Sequence, residues 1–272
     1  MKYRVRAGLI AAVLALSIAL SMIPAASATA KTVTMSGSTS IAPLATKLAK
    51  AFVKKKKGTK FVILQGGSDI GITDVSRGRV TIGMSSRNPK AADPGGIVFN
   101  KFARDGVCVV TNNSNRIPSL SQNLVQGIFS GQIRNWGQVP GAGASGSIHL
   151  VVRTAASGTQ DAFQNIFMGE TLGVPASAQT KASNGLLTQA VGADPQAIGY
   201  ASFAFTGGLW AAPYSGVPCT LRNAKSGQYG GVRNFFFVTR GPAKGVAKKF
   251  LAFARKSKRA KKIVASEWVP LR

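Results

Sequence analysis

Residues 151–167 read VVRTAASGTQDAFQNIF. A short apolar run, the pattern of a strand, ends at Arg153. Thr154, Ala155 and Ala156 follow, and then Ser157, Gly158 and Thr159 open a segment with helical character. Ser157 with Gln160 fits a capping box, the ordinary explanation of a serine at this position. The neighbouring arginine needs another one. A helix start presents unpaired backbone N–H groups and a positive dipole potential. Hydroxyls add donors, and glycine lets the backbone approach closely.

Two more segments share this design. SGSTSIAP (36–43) and QGGSDIGI (65–72) each end a strand, turn on small polar residues and start a helix. Three converging starts would form a cage of neutral donors. Arg153 would add one charge and a two-pronged contact to an oxyanion.

The surrounding pattern alternates strand and helix, which predicts α/β architecture. Ile41, Leu44, Leu48 and Phe52 recur at helical spacing in 41–52, with Thr39 or Ser40 as N-cap and Pro43 in the tolerant first turn. Strands are expected over 60–68, where the strand enters a Gly-rich turn, 80–86, 147–153, 197–205 and 233–241, and one or two over 96–113. Helices are expected over 69–78, 121–131, 159–169, 184–194 and, after Pro242, along a basic C-terminal segment with Val246, Phe250 and Phe253 inward. A first run, a crossing, a second run and a late return fit two lobes. Lobe 1 is expected at 31–111 plus 235–272 and lobe 2 at 112–234, with the ligand cleft between them at the carboxyl ends of the strands.

Residues 1–30 read as a secretory signal peptide. Lys2, Arg4 and Arg6 precede an apolar run over 9–23, Pro24 and small-residue sites ending at Ala28 and Ala30. The run is short of the ~20 residues of a spanning helix. No cysteine lies near the cleavage site, so a lipid anchor is not expected, and the protein reads as exported, either periplasmic or extracellular and envelope-associated. Removing this segment takes away three cations and no acid, so the formal charge falls from +27 to +24. Such a charge implies attraction to polyanions and to an anionic cell envelope. Cys108 and Cys219 are the only cysteines. In an exported chain they are compatible with one disulfide, with two buried thiols as the alternative.

Eight segments in order carry a resemblance: GSTSIAPL, QGGSDIGI, IGMSSR, DGVCVVTN, IFSGQIRNWGQV, VVRTAASGTQDAF, AIGYASFAF and FVTRGPAKGVAKKFLAF. Together they resemble the phosphate-binding proteins of ABC transporters over nearly all of 31–272. The resemblance implies a two-lobed, type II-like periplasmic-binding-protein fold and a monomer. It also implies capture of inorganic phosphate without turnover and delivery to an ABC permease, with no cofactor or metal. Its ligand roles fall on Thr39, Ser40, Ser68, Ser86, Arg153, Ser157, Gly158 and Thr159. Two positions depart from it. Ser86 stands where some members place a carboxylate that accepts the phosphate O–H, and residues 154–156 lack an acid that many members carry. Asp69, beside Ser68, is the candidate replacement acceptor; a first-turn acid favouring the helix dipole is the plainer reading.

Other functions are weaker. An enzyme needs an activated nucleophile or a metal. His149 is the single histidine, about 13 Å along the strand from Arg153 at ~3.3 Å per residue. Trp136 reads as packing and Tyr200 as core or cleft wall. A polyanion or nucleic-acid binder is suggested by charge, but the cations of 47–60 and 244–262 lack interleaved aromatics, so no specific nucleic acid is expected. The remaining alternative is a different oxyanion, sulfate-like or metal-containing.

Overall fold

The structure, a computed structural model, describes residues 31–271. The signal-peptide reading falls on residues 1–30, outside them. Strand β1 (Lys31–Gly37) pairs in parallel with β2 (Thr59–Gln65) and β3 (Ile82–Ser85). Helices α1 (Ala42–Lys55) and α2 (Ser68–Ser76) follow β1 and β2. The segment expected to hold one or two strands is a single strand, β4 (Ile97–Thr111). Next come α3 (Gln122–Phe129), β5 (His149–Arg153), α4 (Gly158–Phe163), β6 (Gln179–Lys181), α5 (Asn184–Ala193), β7 (Ala197–Ser202) and β8 (Trp210–Ala211). The chain ends with α6 (Leu221–Ser226), β9 (Val232–Arg240), α7 (Gly245–Lys256) and α8 (Lys258–Glu267).

β4 belongs to two sheets. Its first part, Ile97 to Gly106, pairs antiparallel with β9, which also pairs with β3. Its last part, Val107 to Thr111, pairs antiparallel with β7, which lies parallel to β5. Separate cores follow. Phe52, Phe102, Phe235, Phe237 and Phe250 bury with Leu44, Leu48 and Met84 under the first sheet. Phe52 meets Phe250 and Phe253 edge-on with ring centroids 5.5 Å apart in each pair. Each fully buried ring of this kind contributes about 1.5–3 kcal/mol. The second sheet has its own clusters, one around Phe129, Trp136, Phe163, Phe167 and Tyr200, the other around Leu187, Val191 and Tyr229. Cys108 and Cys219 lie in the latter and are joined as a disulfide, Cα atoms 5.9 Å apart.

Three local readings need correction. The strand expected over 197–205 stops at Ser202, where a 3₁₀ turn (Phe203–Phe205) begins. The helix expected over 159–169 is α for six residues and then widens into a π turn (Gln164–Met168). Neither Thr39 nor Ser40 caps α1. Ile41 is the N-cap and makes no side-chain cap. The Ser38 carbonyl accepts from the amides of Ile41 and Ala42 at 3.2 Å each. Proline in the first turn removes one of the amides that would need a partner. The hydroxyls of Thr39 and Ser40 are thus available elsewhere.

Candidate functional site

The carboxyl ends of β1, β2, β3 and β5 meet, so the three strand-to-helix turns and the end of β3 come together. Gly37, φ +129°, makes the first turn possible: a Cβ there would lie 2.4 Å from the Met84 carbonyl oxygen. Gly67, φ +109°, allows equal closeness to the Ala156 carbonyl, at 2.6 Å from a would-be Cβ. The Asp69 amide donates to that carbonyl at 3.2 Å. Residues 154–156 therefore serve as a backbone contact between the turn after β5 and the start of α2.

All eight residues expected to line the site are buried and near one another. Ser38 Oγ donates to Ser86 Oγ at 2.8 Å, and Ser86 Oγ lies 3.3 Å from Ser68 Oγ. The Ser86 amide donates to Ser68 Oγ at 3.0 Å. Ser40 Oγ lies 3.0 Å from Thr159 Oγ1, 119 residues away in sequence. Gly158 packs among them: a Cβ would stand 2.2 Å from Ser68 Oγ and 2.7 Å from Ser86 Oγ. Ser157 caps α4, its Oγ accepting from the amides of Thr159 and Gln160 at 3.1 and 3.3 Å. Only half of the expected capping box forms, because the Gln160 side chain turns to the Tyr200 hydroxyl and the Ser157 amide bonds the Thr154 carbonyl. With both lone pairs engaged, Ser157 keeps one O–H to donate.

Arg153 is 3% exposed. Its backbone amide donates to the Tyr200 hydroxyl at 2.9 Å. Nε donates to the Lys181 carbonyl at 3.1 Å, and Nη2 to the Ala182 carbonyl at 2.9 Å and Thr39 Oγ1 at 3.3 Å. Nη1 is buried and makes no hydrogen bond. No carboxylate neutralises this guanidinium. Burial pushes its pKa down to about 10; Tyr200 opposes that and Arg233 adds to it. A buried cation in this condition gains from an anion.

The sequence reading missed three further members: Ser38, already placed against Ser86, and two more. Asn184, fully buried at the start of α5, donates through Nδ2 to Thr39 Oγ1 and Ser40 Oγ, each at 2.9 Å. Its Oδ1 accepts from the Ser202 amide at 3.1 Å. Arg233, in β9, is the second buried arginine of the cluster. It donates to Asp105 Oδ2 through Nε at 3.1 Å and Nη2 at 2.8 Å, to Ser40 Oγ at 2.8 Å, and to the Gly158 carbonyl at 3.1 Å. Burial pushes Asp105 up and Arg233 down, and each counters the other's shift by its charge and hydrogen bonds. A signal was present: Asp105 is the one acid of β4, and the β4–β9 register sets it opposite Arg233.

Asp69 stands apart from the hydroxyls. Its Oδ1 accepts from Arg87 Nε at 2.7 Å, and its side chain is 42% exposed. Arg87 also forks onto Asp93 at 2.5 and 3.0 Å. Burial alone would lower Arg87, but hydrogen bonds from Asp93 and Asp69 outweigh it and hold the guanidinium above its ordinary value. His149 is exposed and pairs with Asp194 at 2.7 Å. Trp136 is buried, its Nε1 donating to the Gln196 carbonyl at 3.0 Å. Among the described residues, no group of three or more His, Cys, Asp or Glu could hold a metal ion.

The arrangement can hold a compact oxyanion. It offers hydroxyl donors, helix-start amides and one uncompensated guanidinium. The hydroxyls can also accept an anion's own O–H, since each has lone pairs as well as a proton. Comparison with known proteins agrees. Residues 24–257 match the model of the PBP superfamily domain. The chain is 28% identical over 244 residues to the phosphate-binding protein PstS of Bacillus subtilis (strain 168), covering 88% of this chain and 80% of that protein. It is similar in structure to a protein from Clostridium perfringens described as a phosphate ABC transporter substrate-binding protein and solved with bound phosphate. That match has TM-score 0.84 and 30% identity, over 89% of this chain and all of that one. It is also similar to an ABC-type phosphate transport receptor from Vibrio cholerae, with TM-score 0.71 and 28% identity over 88% of this chain and 100% of that one.

Proposed function

We propose that this chain, which belongs to the PBP superfamily, is an exported receptor that encloses inorganic phosphate between two lobes and delivers it to an ABC permease without chemical change. The observation that carries the reading is Arg153 Nη1, buried and without a hydrogen bond beside three hydroxyl-bearing helix starts. The phosphate names of the relatives weigh against the other oxyanions.

The expected division into 31–111 plus 235–272 and 112–234 is supported in outline by separate cores, but Val107 and Val109 bury in the second core and so belong with the second lobe. The change of pairing partner inside β4 supports a crossing near Gly106. Thr39, Ser40, Ser68 and Ser86 come from one lobe, and Arg153, Ser157, Gly158 and Thr159 from the other. Closure is what brings the two sets onto one anion. Arg153 supplies the attraction, the hydroxyls and the amide of Thr159's turn supply geometry, and Ser38 and Ser86 accept the ligand's O–H where a carboxylate is absent. Asp69 is held by Arg87, so it takes no part in selectivity. Turnover is not expected: Ser157 is engaged in capping α4, and His149 is paired at the surface.

Calorimetry with phosphate tests this directly. The chain is expected to bind phosphate and to prefer it to sulfate. Arg153→Ala should lose at least a hundredfold in affinity, since charged hydrogen bonds are worth about 1.5–3 kcal/mol each and at least two are at stake. An affinity within fivefold of wild type would remove Arg153 from the site.

A further inference from the structure

Charge is divided unevenly along the chain. Residues 112–231 carry six Lys and Arg against three acids, whereas the rest of 31–272 carries 26 against five. Within 31–60 and 244–262 there are 17 Lys and Arg and no acid, and every one of the 17 is exposed. These segments hold α1, α7 and α8, which pack as one layer: Phe52 of α1 contacts Phe250 and Phe253 of α7, and Lys47 of α1 pairs with Glu267 of α8. Glu267 is thus the one acid of the layer, and it is already paired. Among the described residues the three helices carry no other acid, so the layer presents a strong net positive charge to its surroundings.

The chemistry of the layer narrows the partner. Fifteen of the 17 cations are lysines, compact point charges without the rigid fork that reads single phosphates. The aromatic rings of these helices are buried in the core, so none is available to stack a base. The exposed large apolar side chains, Leu64, Ile70, Val98 and Leu186, all lie off the three helices, which leaves no wedge for insertion into hydrocarbon. A broad, strongly net-cationic, non-inserting face fits a planar array of anionic headgroups.

We infer that the α1–α7–α8 layer is a peripheral docking face for an anionic lipid bilayer. It adsorbs by long-range attraction and releases as salt rises. The face is remote from the hydroxyl cluster. Lys54 and Lys55 close α1 at the end opposite Ser40, about 20 Å away at 1.5 Å per residue and more than two screening lengths at physiological salt. Docking and oxyanion capture are therefore separable, and the inference stands whether or not the captured anion is phosphate.

Vesicle co-sedimentation tests it. The chain should pellet at low salt with vesicles of equal parts phosphatidylcholine and phosphatidylglycerol, and stay in solution with phosphatidylcholine alone. Replacing Lys54, Lys55, Lys56 and Lys57 together by Gln should reduce partitioning on the order of a hundredfold, as should the same replacement of Lys258, Arg259, Lys261 and Lys262. Phosphate titration of the same variants checks the fold and the cleft independently, and should be unchanged. Equal partitioning of variants and wild type would overturn the inference. So would retention on soluble polyphosphate without retention on phosphatidylglycerol vesicles, which would make the face a polymer site.

Discussion

The cleft and the helical layer are both proposed to meet anions, and they are built in opposite ways. The segments that hold the layer gather 17 exposed cations against one acid, Glu267, which is paired with Lys47. The cleft has two buried arginines, one of them neutralised by Asp105, so a single guanidinium nitrogen is left without a partner. Charge in water is screened within about 8 Å at physiological salt, whereas charge under the surface is not. Many solvated cations thus act as a diffuse field, and one desolvated cation acts as a site. Counting charges would have pointed to the layer. Asking which charge is desolvated and unpaired points to Arg153.

The contrast can be broken at four places. Arg153→Ala should have the largest effect, at least ~3 kcal/mol on phosphate binding, with vesicle adsorption unaltered. Arg233→Met should follow, with stability falling by about 3–5 kcal/mol because Asp105 is left buried and uncompensated. A urea titration reads this, and the double variant with Asp105→Asn should recover part of it. Full recovery of phosphate affinity in that double variant would show that Arg233 acts only on the fold. Gly158→Ala is next. It inserts a methyl against Ser68 and Ser86, and overpacking of this kind costs about 1–3 kcal/mol, here read as weakened anion binding in calorimetry. The quadruple Lys54–57 change to Gln should have the smallest effect on the folded cleft. Stability should move by no more than about 0.5 kcal/mol, the usual range for surface substitutions, while adsorption falls steeply. A matching loss of phosphate affinity would erase the distinction between the two regions.

Part of the cleft was legible because it is local. A strand, a Gly with hydroxyl neighbours and a helix start are contiguous in sequence, so all three turns could be read directly, and with them the residues from Thr39 to Thr159. The helix-facing residues of α1 were equally plain from spacing. What escaped depends on pairing between distant segments. Asp105 and Arg233 become partners only through the β4–β9 register, 128 residues apart. Asn184 reads as an ordinary helix-start residue until α5 is laid against the turn after β1. The error at Thr39 and Ser40 has the same origin. Local propensity favours a hydroxyl cap, but the Ser38 carbonyl already holds the first amides, and the hydroxyls are claimed by Asn184, Arg153 and Arg233. Asp69 looked available because its partner Arg87 lies 18 residues on, beyond β3.

The covalent bond between Cys108 and Cys219 has a mechanical meaning. Cys108 is two residues past Gly106, on the outgoing chain just after it leaves the first sheet. The returning chain is fastened at the same point: the Val107 amide donates to the Gly231 carbonyl at 2.7 Å, and the Tyr229 hydroxyl donates to the Val107 carbonyl at 2.7 Å. Both passages between the halves are thus clamped on one side of the crossing. On the other side lies the paired ribbon of β4 and β9, where a register shift between Lys101 and Ala103 interrupts the ladder. Reduction would remove only the covalent part of that clamp, leaving the hydrogen bonds at Val107 to hold the two passages together. The disulfide therefore adds a tie within the second half, between the start of its outgoing strand and the segment that precedes the return.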